Sequence, residues 1–141
     1  MPVYATSTSK GRIAVIDDDA VFVDLMHDLL ALGEGYDVVS APHWLHSVEF
    51  VRDAQPDLII LDLMLGREQT GWGVLQLLRE DPNMAHIPVI VCSAAAPALL
   101  QHAGWCADGA GAVEAVAKPF DVDDLLAVVE RLLSTSRQSL V

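Results

Sequence analysis

Four runs of β-forming residues in this chain each stop on a chemically capable polar group. Ile13–Ile16 precedes Asp17-Asp18-Asp19, Leu58–Leu61 precedes Asp62, Val89–Cys92 precedes Ser93, and Val116-Ala117 precedes Lys118-Pro119. Runs that are apolar at nearly every position belong to strands buried on both faces, as in a parallel sheet covered by helices. In such a sheet ligands bind in the crevice at the carboxyl ends of the strands, where strand order reverses. The pattern therefore constrains the fold and also the edge of it where chemistry collects.

Between these runs the apolar spacing becomes helical. Val21, Leu25, Met26, Leu29 and Leu32 predict a helix over Ala20–Leu32, capped by Asp19 and stopped by Gly33 and Gly35. A second strand is predicted over Tyr36–Ser40 and a helix over His43–Asp53, before Pro56 breaks the chain ahead of the strand Asp57–Asp62. A helix over Gly73–Arg79 ends at Asp81-Pro82; the strand Ile87–Ser93, a short helix Pro97–Ala103 and the strand Val113–Ala117 follow. The last helix, Val122–Leu133, is capped by Asp121 and carries Leu125, Leu126, Val129, Leu132 and Leu133 on one face. Five β-α units predict one α/β domain over residues 12–133 with a parallel five-stranded sheet. Residues 1–11 read as a disordered lead-in and residues 134–141 as a frayed tail.

Charge and composition remove several function classes. With 20 acidic against 8 basic residues, the net charge is −12, and no basic face is available to displace counterions from nucleic acid. A bilayer span takes roughly 18 apolar residues, and the richest run, Ile87–Leu100, is interrupted by Pro88, Ser93 and Pro97. No membrane association is expected. Cys92 and Cys106 are too few for a disulfide framework, which points to a reducing, cytoplasmic setting. Cys92 reads as a small apolar strand residue. His43 and His46 show no third ligand and read as a solvated or partly buried pair, not a metal site.

The strand-end residues carry the chemistry. Asp17 and Asp18, joined by Asp62 from a neighbouring strand, make a hard, oxygen-rich site of the kind Mg²⁺ occupies. Without a cation three such carboxylates repel one another. Lys118 offsets part of that charge and can pair with a phosphoryl oxygen, and Ser93 can donate a hydrogen bond to another. Asp62 ends the most hydrophobic strand, hence the central and most rigidly held one, and is the candidate nucleophile. Asp24 and Asp28, one turn apart, read as a solvated helix face.

In this order and at these separations, the residues from about Arg12 to Leu133 resemble the receiver domain of two-component response regulators. The resemblance rests on Asp17-Asp18, Asp62, Ser93 in Ile87-Pro-Val-Ile-Val-Cys-Ser-Ala94, and Lys118-Pro119-Phe120. It implies a flavodoxin-like (βα)5 three-layer sandwich with strand order 2-1-3-4-5. It further implies Mg²⁺-dependent transfer of a phosphoryl group to Asp62 from a phosphohistidine, carried by a sensor histidine kinase or a histidine phosphotransfer protein. By the same resemblance Asp17, Asp18, Asp62 and the backbone carbonyl of Met64 hold the metal, and Ser93 and Lys118 bind phosphoryl oxygens. A downstream protein partner is implied, and a phosphorylation-dependent homodimer is one assembly open to such a domain. The domain would be no enzyme toward other molecules, catalysing only its own phosphorylation and dephosphorylation. A phosphohydrolase of the haloacid-dehalogenase type would need a second aspartate two residues after Asp62, where Met64 stands. A degenerate receiver working as a phosphorylation-independent interaction module is the alternative, and the intact acidic pair, acceptor, hydroxyl and lysine argue against it.

The chain departs from the family pattern at identifiable places. Gly66 occupies a position where proline is common, the loop to Gly71 is longer than usual, and extra residues lie within Ala103–Ala112. Ala115 replaces the aromatic residue that usually rotates on activation. Met64 and Ala95 stand where polar side chains orient the hydrolytic water, which predicts a long-lived phosphorylated state.

Overall fold

A computed structural model describes residues 10–42, 46–62, 71–93, 112–118 and 120–139; for residues 71, 72, 93 and 135–139 it describes the backbone alone. Strands β1 (Arg12–Ile16), β2 (Asp37–Ala41), β3 (Leu58–Leu61), β4 (Val89–Ser93) and β5 (Val113–Ala117) form one parallel sheet in the order β2-β1-β3-β4-β5. This is the expected flavodoxin-like order. Its reversal lies between β1 and β3, which are paired from Ile13↔Leu58 to Ile16↔Leu61.

The sheet separates two apolar cores. On one face Ile13, Val15, Leu58, Ile60, Ile90 and Cys92 pack with Phe22, Met26, Leu30, Leu125 and Val129. These helical residues belong to α1 (α-helical over Ala20–Met26, π-helical over His27–Gly33) and α4 (Val122–Ser139). On the other face Ala14, Ile16, Ile59, Leu61, Val89 and Val91 pack with Val51, Val74, Leu75 and Leu78 from α2 (Ser47–Ala54) and α3 (Gly71–Glu80). Consecutive strand residues thus enter opposite cores, which is why the strands are apolar throughout. Each fully buried aliphatic side chain contributes about 1.5–3 kcal/mol relative to exposure.

Two expectations need correction. The buried face of α1 is Phe22, Met26 and Leu30, while Val21 and Leu32 of the predicted stripe are 77% and 83% exposed. Apolar residues occupy both registers of this helix, so spacing alone did not select the face. The spacing of Phe22, Met26 and Leu30 drifts around a helix of about 3.6 residues per turn, and the wider π-helical turns bring Leu30 back to the sheet. The last helix also continues to Ser139 and does not end at Leu133. Ser134–Ser139 contains no glycine or proline to stop it, so most of the predicted frayed tail is helical. The predicted helix Pro97–Ala103 lies outside the described residues.

Helix ends and braces follow from local chemistry. Asp19 caps α1, its Oδ1 accepting from Val21 N at 3.0 Å and Phe22 N at 3.4 Å. Asp121 caps α4 through Asp123 N at 2.9 Å. At the amino-terminal edge of the sheet, Arg12 binds Asp37 at 2.7 Å and the carbonyl of Ala54 at 2.7 Å. Arg79 donates there to the carbonyls of Ala85 at 2.7 Å and Ala112 at 3.2 Å. These braces tie down the edge opposite the carboxyl ends of the strands.

Candidate functional site

The ladder continues one residue past the strand ends and there fixes two carboxylates. Asp17 N donates to Ala41 O at 3.2 Å, and Asp62 N to Ile16 O at 3.0 Å. Asp17 and Asp62 are 1% and 8% exposed, whereas Asp18 faces solvent. Carboxylate oxygens of Asp17, Asp18 and Asp62 all lie within 4.8 Å of one another. Burial of such charge is tolerable only with a partner, and Lys118 supplies one. Its Nζ donates to Asp17 Oδ2 at 2.9 Å and lies 3.6 Å from Asp62 Oδ2.

Lys118 follows the last residue of β5, and Ala117 is register partner to Ser93 of β4. Neighbouring strand ends therefore bring residues distant in sequence to one edge. Burial alone would lower the Lys118 pKa; the hydrogen bond to Asp17 and the charges of Asp17 and Asp62 outweigh it and hold the ammonium above its ordinary value. Asp17 Oδ1 also accepts from Asp19 N at 2.9 Å. The three adjacent acids thus do different work: Asp17 is buried in the site, Asp18 borders it from solvent, and Asp19 caps a helix.

The expected site residues Asp17, Asp18, Asp62 and Lys118 are brought together. Ser93 ends β4 beside them by its backbone, and its side chain lies outside what is described. Met64 and Ala95 lie outside the described residues. Ala115, where a rotating aromatic is usual, is partly buried against the core under α2 and α3. One residue that motif reading missed adjoins the site: Phe22, whose ring centroid is 4.2 Å from Lys118 Nζ and which meets Phe120, the end of the Lys118-Pro119-Phe120 motif, in edge contact. An aromatic on a helix reads as core, and Phe22 is indeed buried; no local signal ties it to Lys118. Cys92 is fully buried beneath the site. Burial, opposed by Lys118 and aided by Asp17 and Asp62, pushes its thiol up to about 12, so it is inert as a nucleophile.

Among the described residues, three clustered carboxylates stand against one ammonium, with Asp18 facing solvent. Their donors are all hard oxygens, so the set fits a small divalent cation.

Comparison with known proteins agrees with this geometry. Residues 13–130 match the response regulator receiver domain family. RpaA of Synechocystis, a DNA-binding dual master transcriptional regulator, is 39% identical over 122 residues, covering 86% of this chain and 48% of RpaA. The DNA-binding response regulator MtrA of Mycobacterium tuberculosis is 32% identical over 126 residues, covering 89% of this chain and 52% of MtrA. The chain spans about half the length of the curated relatives it matches. The signal receiver domain of a signal transduction histidine kinase from Syntrophus aciditrophicus superposes with a TM-score of 0.73 at 26% identity, covering 88% of this chain and 90% of that one. With a family match running from the first strand into the last helix, and a matching sheet order, this chain belongs to the response regulator receiver domain family of two-component signalling.

Proposed function

We propose that this chain accepts a phosphoryl group on Asp62, from the phosphohistidine of a sensor histidine kinase or histidine phosphotransfer protein, and thereby changes its binding to a downstream protein. The observation that carries this reading is the convergence of Asp17, Asp18, Asp62 and Lys118 on the carboxyl edge of the sheet. An oxygen of Asp62 attacks phosphorus; the new P–O bond forms as the P–N bond breaks, and its electron pair returns to the imidazole nitrogen of the donor. Burial of Asp62 limits competing solvation of the nucleophile. Lys118, already 3.6 Å from Asp62, pairs with a phosphoryl oxygen, and Ser93 donates to another.

Asp17, Asp18 and Asp62 would hold Mg²⁺, with the Met64 carbonyl as a further ligand. Bound Mg²⁺ supplies neutralisation of the charge on the phosphoryl oxygens. The chain would act on itself alone, so it is a signalling module and no general phosphatase. A reducing cytoplasm suits the unpaired, buried Cys92. No helix among the described residues is long and apolar enough to cross a membrane. The DNA binding named for RpaA and MtrA belongs to proteins about twice as long, and the charge of −12 offers this chain no footing for it.

Intact-mass measurement after incubation with acetyl phosphate and Mg²⁺ tests the reading. A single phosphoryl adduct is expected on wild type and none on Asp62→Asn. An equal adduct on the variant would overturn the acceptor assignment, and no adduct on wild type would overturn the function.

A further inference from the structure

Lys118 is held from three sides. Its ammonium donates to Asp17 at 2.9 Å, lies 3.6 Å from Asp62, and stands 4.2 Å from the centroid of the Phe22 ring. Phe22 in turn meets Phe120 edge to face, with centroids 5.9 Å apart and planes at 88°. Phe22 is 7% exposed and the Lys118 side chain 27%, so the contact is largely withdrawn from water, where attraction between a cation and a ring is strongest.

The contact has a use that the ion pairs cannot serve. A lysine on its flexible four-carbon stem loses much rotamer freedom when it is fixed. Carboxylates fix it only by occupying its N–H groups. A ring face attracts the charge without offering a lone pair, so it restrains the ammonium while leaving N–H groups for oxygen acceptors. Phe22 is itself well anchored. Its backbone N–H lies in the cap of Asp19 at 3.4 Å, and its ring belongs to the core under α1 and α4.

We propose that Phe22 is the positioning residue for Lys118, its ring, backed by Phe120, holding the ammonium beside Asp62 where it meets an incoming phosphoryl group already aligned. The proposal rests on the phosphoacceptor reading above. Phe22 acts through Lys118 and touches no phosphoryl atom. Its removal should therefore weaken capture of the phosphoryl group and leave cation binding by the carboxylates intact.

Beryllofluoride, a phosphoryl mimic, is titrated into the full chain at saturating Mg²⁺ and followed by fluorine NMR; Mg²⁺ affinity is measured separately without fluoride. Phe22→Leu is expected to weaken beryllofluoride binding about tenfold with unchanged Mg²⁺ affinity, and Phe22→Tyr, which keeps the ring, to restore it. In a Lys118→Met background Phe22→Leu should have no further effect. Should the leucine variant lose its native circular dichroism, a trifluorinated phenylalanine at position 22 decides the matter, because it keeps the shape and depletes the π face. Wild-type beryllofluoride affinity in the leucine or fluorinated protein overturns the proposal, as does an equal loss in the Lys118→Met background. Failure of wild type itself to bind beryllofluoride removes the phosphoacceptor reading and this inference with it.

Discussion

Replacing Asp18 by asparagine should change the sign of its effect on stability according to whether Mg²⁺ is present. Carboxylate oxygens of Asp17, Asp18 and Asp62 lie within 4.8 Å of one another, with Lys118 against Asp17 and Asp62. At that separation two unit charges repel by about 0.9 kcal/mol in water and about 3.5 kcal/mol at an effective dielectric constant of about 20. Asp18 is exposed, which places each repulsion near the lower figure, and the attraction of Lys118 subtracts from the pair. A net gain of about 1 kcal/mol is expected for Asp18→Asn in EDTA, raising Tm by about 4 °C for a domain of this size. Mg²⁺ should reverse the order. At ten times its Kd, a ligand that binds only the native state stabilises it by about 1.4 kcal/mol, and the variant loses that gain with its ligand. Thermal melts followed by circular dichroism, with EDTA and across a Mg²⁺ series, should give two lines that cross. A variant less stable than wild type in EDTA, or one that gains as much from Mg²⁺, would refute the electrostatic account.

Other predictions concern buried groups around the sheet. Burial raises the Cys92 thiol from 9.0 to about 12, so between those values the native state keeps a proton that the unfolded chain has lost. Stability should fall as pH rises through this window, by up to about 1.4 kcal/mol per pH unit. The raised Lys118 pKa pushes the same way above 10.5. Cys92→Ala should flatten the slope in urea titrations; an unchanged slope would show that the thiol does not carry it. Arg79 bridges the carbonyls of Ala85 and Ala112, and Arg79→Met should cost about 2 kcal/mol in the same assay. Arg79→Lys should recover little of it, because one ammonium cannot span the fork. A loss below about 0.5 kcal/mol would mean that desolvation of the guanidinium cancels its bonds.

What could be read beforehand divides along physical lines. The strands were legible because burial on both faces leaves a run such as Leu58–Leu61 with no polar residue. Sheet order came from the motif set, since no local pattern in β2 says that it pairs with β1 and not with β3. Asp17, Asp18, Asp62 and Lys118 were legible as strand-end groups, because a parallel sheet has only one carboxyl edge. The face of α1 was misread because Val21 and Leu25 satisfy helical spacing as well as Phe22 and Met26 do. Only the tertiary contact with the sheet separates those registers. Phe22 escaped for a related reason: its role depends on Lys118, which folding alone brings near. The end of α4 was set too early because the apolar stripe stops at Leu133, although the backbone needs no stripe to stay helical.

The division of the interior by the sheet also makes the protein a convenient spectroscopic object. The chain has six isoleucines. Ile13, Ile60 and Ile90 project into the core under α1 and α4, and Ile16, Ile59 and Ile87 into the core under α2 and α3. A methyl spectrum of isoleucine-labelled protein therefore reports the two sides separately and in equal number. Because Ile59 and Ile60 are adjacent and point to opposite sides, even one residue step on the central strand carries both readouts. Whether a perturbation at Asp62 reaches one side of the sheet or the other can be followed from these six peaks.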